Sequence, residues 1–376
     1  MSIRFIHTAD WQLGRQFGQI QGDPGAYVRG QRTKTVQNIG TIASEKMVDA
    51  VLVAGDIFES NAVSDETLYK FLDAVRTFTG PWIFLPGNHD PAVPGSVWAR
   101  LEGMNCPSNL LFPRTAEPIM IANERLAILP APLRRRHEVS DLTEDWSKVI
   151  TPMSAVRVGL AHGSVENRLP GKAESTNPIS DTRASEARMD YIALGDWHGT
   201  LEIAHKTWYA GTPEPDRFRN NDAGNILLVS IGVPGAEATV EKIVTKHYEW
   251  SELCYSIFGP DDLIAVESGL AALTQPYDRN LVSLTLTGAV DLGTQSAIDD
   301  LLAQWKSRFL WIVDHCEDLV AQPTQADLDR IDAAGFVRAA IDQLQTLQNN
   351  PSNEDAALAN TALHILYQTY IAGSAE

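Results

Sequence analysis

Six short aliphatic runs punctuate the first part of the chain: Ile3–His7, Ala50–Ala54, Trp82–Leu85, Leu126–Leu129, Val156–Ala161 and Tyr191–Leu194. Each is closed by Gly, Pro, Asp or His, the pattern of strands buried on both faces. Between them, Arg29–Lys46 and Asp65–Phe78 have helical spacing, and the second sets Leu68, Phe71, Leu72 and Val75 on one stripe. Asn225–Gly232 and Ala238–Trp250 alternate instead, as antiparallel strands do. This mixture predicts helices packed outside sheet layers. Two polar stretches, Arg134–Asp145 and Ser164–Ala184, read as loops, the second carrying Pro170-Gly171 and Asn177-Pro178.

The pattern changes near Gly259-Pro260, where a second module is expected to begin. Asn280–Thr287 alternates as a strand, Gln295–Trp305 reads as a helix, and Phe309–Val313 as another strand, together a small β-α-β unit. Beyond Pro323, two helical patterns flank Asn349-Asn350-Pro351. One carries Leu328, Ile331, Val337, Ile341 and Leu344; the other carries Leu358, Ala362, Leu366 and Tyr370. The expected domains are therefore 1–258, 259–322 and 323–376.

Composition narrows the function classes. With 44% hydrophobic and 21% charged residues over 376 positions, the chain is ordinary globular material rather than disordered, collagen-like or coiled-coil. No apolar run approaches the roughly 18 residues that cross a bilayer. The first residues reach Asp10 too soon for a signal-peptide core. Cys106, Cys254 and Cys316 have no disulfide or metal spacing, which points to a reducing cytoplasm. Thirty basic against 48 acidic residues give a net charge of −18, against a broad electrostatic coat for nucleic acid or anionic membrane. From residue 271 onward there are 14 acids and 5 bases, so that segment suits protein docking better than DNA docking.

The chemistry lies where the predicted strands end. Asp10 and Gln12 follow the first strand, Gly55-Asp56 the second, and Gly87-Asn88-His89-Asp90 the third. Ala161-His162-Gly163 and Gly195-Asp196-Trp197-His198-Gly199 follow two others. Strand ends at one sheet edge converge, and glycine lets backbone and ligand approach closely. Asp, Asn, Gln and His supply the oxygen and nitrogen donors that Mn²⁺, Fe²⁺ or Zn²⁺ accept. Any one of these pieces alone is a common turn or a structural histidine. Five in this order are poorly explained by chance.

Together they resemble the five-motif signature of calcineurin-like metallophosphoesterases. The runs His7–Gly14, Gly55–Phe58, Tyr191–Gly195 and Tyr209–Pro215 are similar to SbcD-type DNA double-strand-break repair exonucleases, over about residues 1–250. The resemblance implies an α+β fold: a four-layer α/β/β/α sandwich with a small β-α-β capping domain and a C-terminal helical segment. It implies two divalent metal ions, Mn²⁺ foremost, with Mg²⁺ or Fe²⁺ as alternatives. Asp10, Gln12, Asp56 and His198 would hold one ion; Asp56, Asn88, His162 and Asp196 would hold the other. Such a pair activates a hydroxide for in-line attack on phosphorus. His89 would stabilise charge or protonate the leaving oxygen, and Asp90 would orient His89.

Two positions depart from that family, which has His where this chain has Gln12 and Asp196. A glutamine oxygen and a third carboxylate would make the centre harder and shift it toward Mn²⁺ or Mg²⁺. Arg217 and Arg219 are the expected substrate-binding cations. Arg134-Arg135-Arg136-His137 is a further basic run, and Trp11 and Trp197 are either stacking platforms or packing. The resemblance further implies a cytoplasmic homodimeric nuclease, a 3′-to-5′ exonuclease and single-strand endonuclease that acts on DNA. Its partner would be an SbcC-like coiled-coil ABC ATPase, docked by the C-terminal helices. The alternatives are a phosphoesterase for small nucleotides, or a catalytically weakened scaffold, which Gln12 and Asp196 would favour.

Overall fold

The computed structural model describes residues 2–166, 168, 177–321, 336–349 and 355–374. Two compact units divide the chain, Met1–Tyr248 and Glu249–Glu376.

The first unit is a mixed α/β sandwich of two six-stranded sheets. In one sheet, Ile3–Thr8, Ala50–Val53, Trp82–Phe84 and Leu110–Leu111 run parallel, with Asn225–Ile231 and Thr239–Val244 added antiparallel on the other flank of the first strand. In the other, Leu126–Ala131, Val156–His162, Tyr191–Gly195 and Thr207–Tyr209 run parallel between antiparallel edges. The aliphatic runs are continuous because both faces of each sheet are covered. Successive residues alternate between two cores. Ile6, Val51, Val53, Trp82 and Phe84 meet the helices Gly22–Glu45 and Asp65–Val75, while Phe5, Ala50, Leu52 and Ile83 face the second sheet. Trp11 lies in the helix-side core, edge-on to Trp82 and Phe84, so it is packing. Short helical turns, Glu144–Lys148 and Arg183–Glu186, form the outer layer on the second sheet, with Trp146 and Ala184 in one core with Leu129 and Ile192.

A buried polar link crosses the sandwich. His7 on the first sheet contacts Tyr191 Oη at 3.0 Å through Nδ1 and Leu194 O at 3.1 Å through Nε2, both on the second sheet. Burial pushes the His7 pKa down to about 3, only partly offset by the Leu194 bond, so the ring is neutral.

The second unit builds a parallel sheet from Glu249–Ile257, Asn280–Val290 and Trp311–His315, with Leu263–Ala271 and Leu292–Lys306 as crossover helices. The two compact units divide after Tyr248, ahead of the expected boundary at residue 258. Ala238–Trp250 is two strands, because Glu214 accepts the backbone N–H groups of His247 and Tyr248 and ends the first one's sheet. The strand Glu249–Ile257 therefore belongs to the second unit. The helices Phe336–Gln348 and Ala356–Ser374 share that unit: Ile341 and Leu363 pack with Leu292, and Asn360 donates to Ala321 O at 2.6 Å. Leu328, Ile331 and Pro170-Gly171 lie outside the described residues. Among the described residues, no helix is long and apolar enough to cross a membrane.

Candidate metal centre

Asp10, Asp56 and Asp196 stand just past parallel strands and His162 is the last residue of one, where the chain turns sharply. Asp10 (φ 54°), Gln12 (φ 44°), Asp56 (φ 54°) and Asp196 (φ 104°) adopt the left-handed region. For non-glycine residues such conformations cost ~1–3 kcal/mol each and gather at functional sites. Gly55 (φ +91°) shows how tight the approach is: a Cβ there would lie 2.2 Å from His162 Nδ1. At Gly87 it would lie 2.2 Å from Asp56 Oδ1. Glycine is required at both.

These turns bring distant side chains together. His162 Nδ1 lies 2.8 Å from Ala54 O, which fixes it as a donor and turns Nε2 toward the cluster. Around Nε2 stand Asn88 Oδ1 at 3.3 Å, Asp56 Oδ1 at 3.5 Å and Asp196 Oδ1 at 3.9 Å. Asp10, Asp56 and His162 can each offer one ligand atom within 4.8 Å of the others. Spacings of this order, between oriented O and N donors, fit a divalent cation. Electrostatics agree. Burial pushes the Asp10 carboxyl up to about 6, with Asp56 and Asp196 adding to the rise. Burial opposes protonation of His162, yet Asp56, Asp10 and Asp196 outweigh it and hold the imidazole up to about 9. Crowded buried carboxylates of this kind are compensated by a cation.

That geometry, on strands of this order, accompanies a family match. The calcineurin-like phosphoesterase model matches residues 3–199. The chain belongs to the calcineurin-like phosphoesterase family. Among relatives, this phosphoesterase is 25% identical over 280 residues to the SbcD subunit of nuclease SbcCD from Bacillus subtilis (strain 168), covering 64% of this chain and 69% of that one. It is 23% identical over 262 residues to the DNA double-strand break repair protein Mre11 of Methanosarcina acetivorans, covering 65% of this chain and 39% of that one. The SbcD subunit of nuclease SbcCD from Rhodobacter capsulatus is 36% identical over 95 residues, 24% of this chain and 22% of that one.

Several expected site residues have partners in this chain that their sequence positions did not indicate. Asp90 does not orient His89. Its carboxylate accepts from Gly87 N–H at 2.7 Å and Phe58 N–H at 3.0 Å, bracing the turn that carries Asn88, and burial raises its pKa to about 7. His89 instead sets its Nδ1 2.9 Å from Glu59 O, leaving Nε2 3.9 Å from Asp56 Oδ2. Gln12 reaches the cluster with the wrong atom: its Oε1 accepts from Arg15, and its Nε2 stands 3.5 Å from His198 Nε2. Arg217 forks onto Asp216 through two 3.0 Å bonds, while exposed Arg219 stacks 4.6 Å over Trp197, a contact through the guanidinium face that does not use its N–H donors.

Sequence reasoning missed the supports. Buried Asp216 faces His198 Nδ1 at 3.1 Å and Arg15 at 2.9 Å, in addition to Arg217. Burial alone would raise the Asp216 carboxyl; the His198 bond and the arginines hold it well below the usual range. Arg32, also buried, donates to the carbonyls of Trp11 (2.7 Å), Asp10 (3.2 Å) and Glu214 (3.0 Å), tying the first motif to the Pro213–Pro215 turn. Ser164 Oγ donates to Asp196 Oδ2 at 2.9 Å. Only the nearness of Asp216 to the Tyr209–Pro215 run gave any signal for these partners in the sequence.

Proposed function

We propose that this phosphoesterase is a metal-dependent nuclease of DNA repair that hydrolyses DNA phosphodiesters, as a 3′-to-5′ exonuclease and single-strand endonuclease. The observation that carries the reading is the ring of donors around His162 Nε2 with His89 at its rim, in a chain similar to break-repair nucleases. Asp10, Asp56, Asn88, His162, Asp196 and His198 are the proposed metal ligands, and Mn²⁺ the proposed ion. Divalent cations there polarise phosphoryl oxygens and acidify water. His89, oriented by Glu59 O and about one-quarter exposed, is the proposed group that stabilises charge or protonates the leaving oxygen.

DNA contact is supported by exposed Arg134, Arg135 and Arg136. They follow Leu133, whose N–H donates to Pro86 O and whose carbonyl accepts from Ala92, on either side of the Asn88 turn. With a net charge of −18, the isolated chain should bind DNA weakly and with steep salt dependence. An SbcC-like coiled-coil ABC ATPase is the proposed partner and a homodimer the proposed state. Exposed Phe336, Leu358 and Ile365 on the C-terminal helix pair support docking there. Retained ATPase binding after deletion of residues 324–376 would reject that dock.

The test is Mn²⁺-dependent cleavage of linear and single-stranded DNA beside a panel of nucleotides, with His89→Ala as control. Cleavage of DNA that drops ~10²–10⁴-fold in the variant, at unchanged metal content, is the expected result. Metal-loaded protein that cleaves nucleotides and leaves DNA intact overturns it.

A further inference from the structure

Arg15 makes the two halves of the centre unequal. On the His162 side every donor is aimed: Ala54 O fixes the ring, Ser164 fixes Asp196, and Asn88 and Asp56 face Nε2. On the His198 side the ring is aimed too, with Asp216 and Arg217 Nη2 each 3.1 Å from Nδ1. Gln12 is not. A guanidinium has donors only, so Arg15 must meet the amide oxygen, and the amide NH₂ is turned toward His198. An amide NH₂ offers a cation no lone pair and holds a donor where a ligand is needed. Reversing the amide would set NH₂ against guanidinium. Arg15 is itself anchored 2.9 Å from buried Asp216, so it does not simply swing away. Its fixed positive charge also opposes a nearby cation.

We propose that this chain holds one divalent cation tightly, through Asp56, Asn88, His162 and Asp196, and that Arg15 and Gln12 keep the Asp10–His198 position weak. The inference rests on the metal-centre reading above and deepens it by assigning the imbalance to Arg15.

The experiment is Mn²⁺ titration of the metal-stripped full chain by calorimetry and electron paramagnetic resonance, beside Arg15→Leu and Gln12→His. The wild type should bind one Mn²⁺ tightly and a second ~10–100-fold more weakly, giving at one equivalent the signal of an isolated ion. Arg15→Leu frees the amide to turn its oxygen inward, and Gln12→His supplies a neutral nitrogen. Each should tighten the second site ~10–100-fold and bring in the spin-coupled signal of an ion pair. Two equal sites in the wild type, or an unchanged gap in both variants, overturn this proposal alone. No Mn²⁺ bound by any of the three proteins overturns the metal-centre reading with it.

Discussion

Replacing His7 with glutamine should make the protein less acid-sensitive. The ring is fully buried between the sheets, and its pKa falls from 6.5 to about 3, mainly through desolvation of the charged form. The native state therefore refuses a proton that the unfolded chain accepts once pH drops below 6.5. Proton uptake by the unfolded state means stability falls as pH falls, across the window from 6.5 down to about 3. At pH 5 the unfolded histidine gains RT ln(1 + 10^1.5), about 2 kcal/mol, while at pH 7.5 the same expression gives about 0.1 kcal/mol. A glutamine amide can still bond to Tyr191 Oη or Leu194 O but does not titrate. Urea unfolding of metal-stripped wild type and His7→Gln at pH 7.5, 6 and 5 isolates this contribution, because the other groups titrate equally in both. Between pH 7.5 and 5, wild type should lose about 2 kcal/mol more than the variant. Parallel stability–pH curves would refute the argument that His7 is buried neutral.

Other perturbations probe the turns. Asp90→Ala leaves the Gly87 and Phe58 N–H groups without their acceptor, at ~1–3 kcal/mol each. Chemical unfolding should show that loss, with Mn²⁺ uptake reduced; unchanged stability would show that the carboxylate braces nothing. Gly55→Ala drives a Cβ to 2.2 Å from His162 Nδ1 and should displace the ring from Ala54 O, weakening Mn²⁺ binding ~10–100-fold. Gly18→Ala, with open space around its Cβ, is the matched control, and equal Mn²⁺ affinity in the two variants would contradict the crowding argument.

The sequence by itself determined the strands and their polar ends. A strand covered on both faces is written as an unbroken aliphatic run, so Ala50–Val53 and Tyr191–Gly195 are visible from local composition, as are the Asp, Asn and His residues that follow such runs. It also exposed Gly55 and Gly87, because glycine next to an acidic or amide residue marks a tight turn. What it could not determine were partners fixed by long-range packing. Asp216 contacts Arg15 and His198, and Arg32 reaches Thr212 across 180 residues, with no periodicity linking them. The direction of an amide is equally hidden: Gln12 has both an oxygen and a nitrogen to offer, and only the arrival of Arg15 decides which one faces the centre. Asp90 follows the same logic, since two backbone N–H groups reach it before any histidine does. Composition selects which donors exist; the tertiary fold, by supplying competing partners, decides where they point.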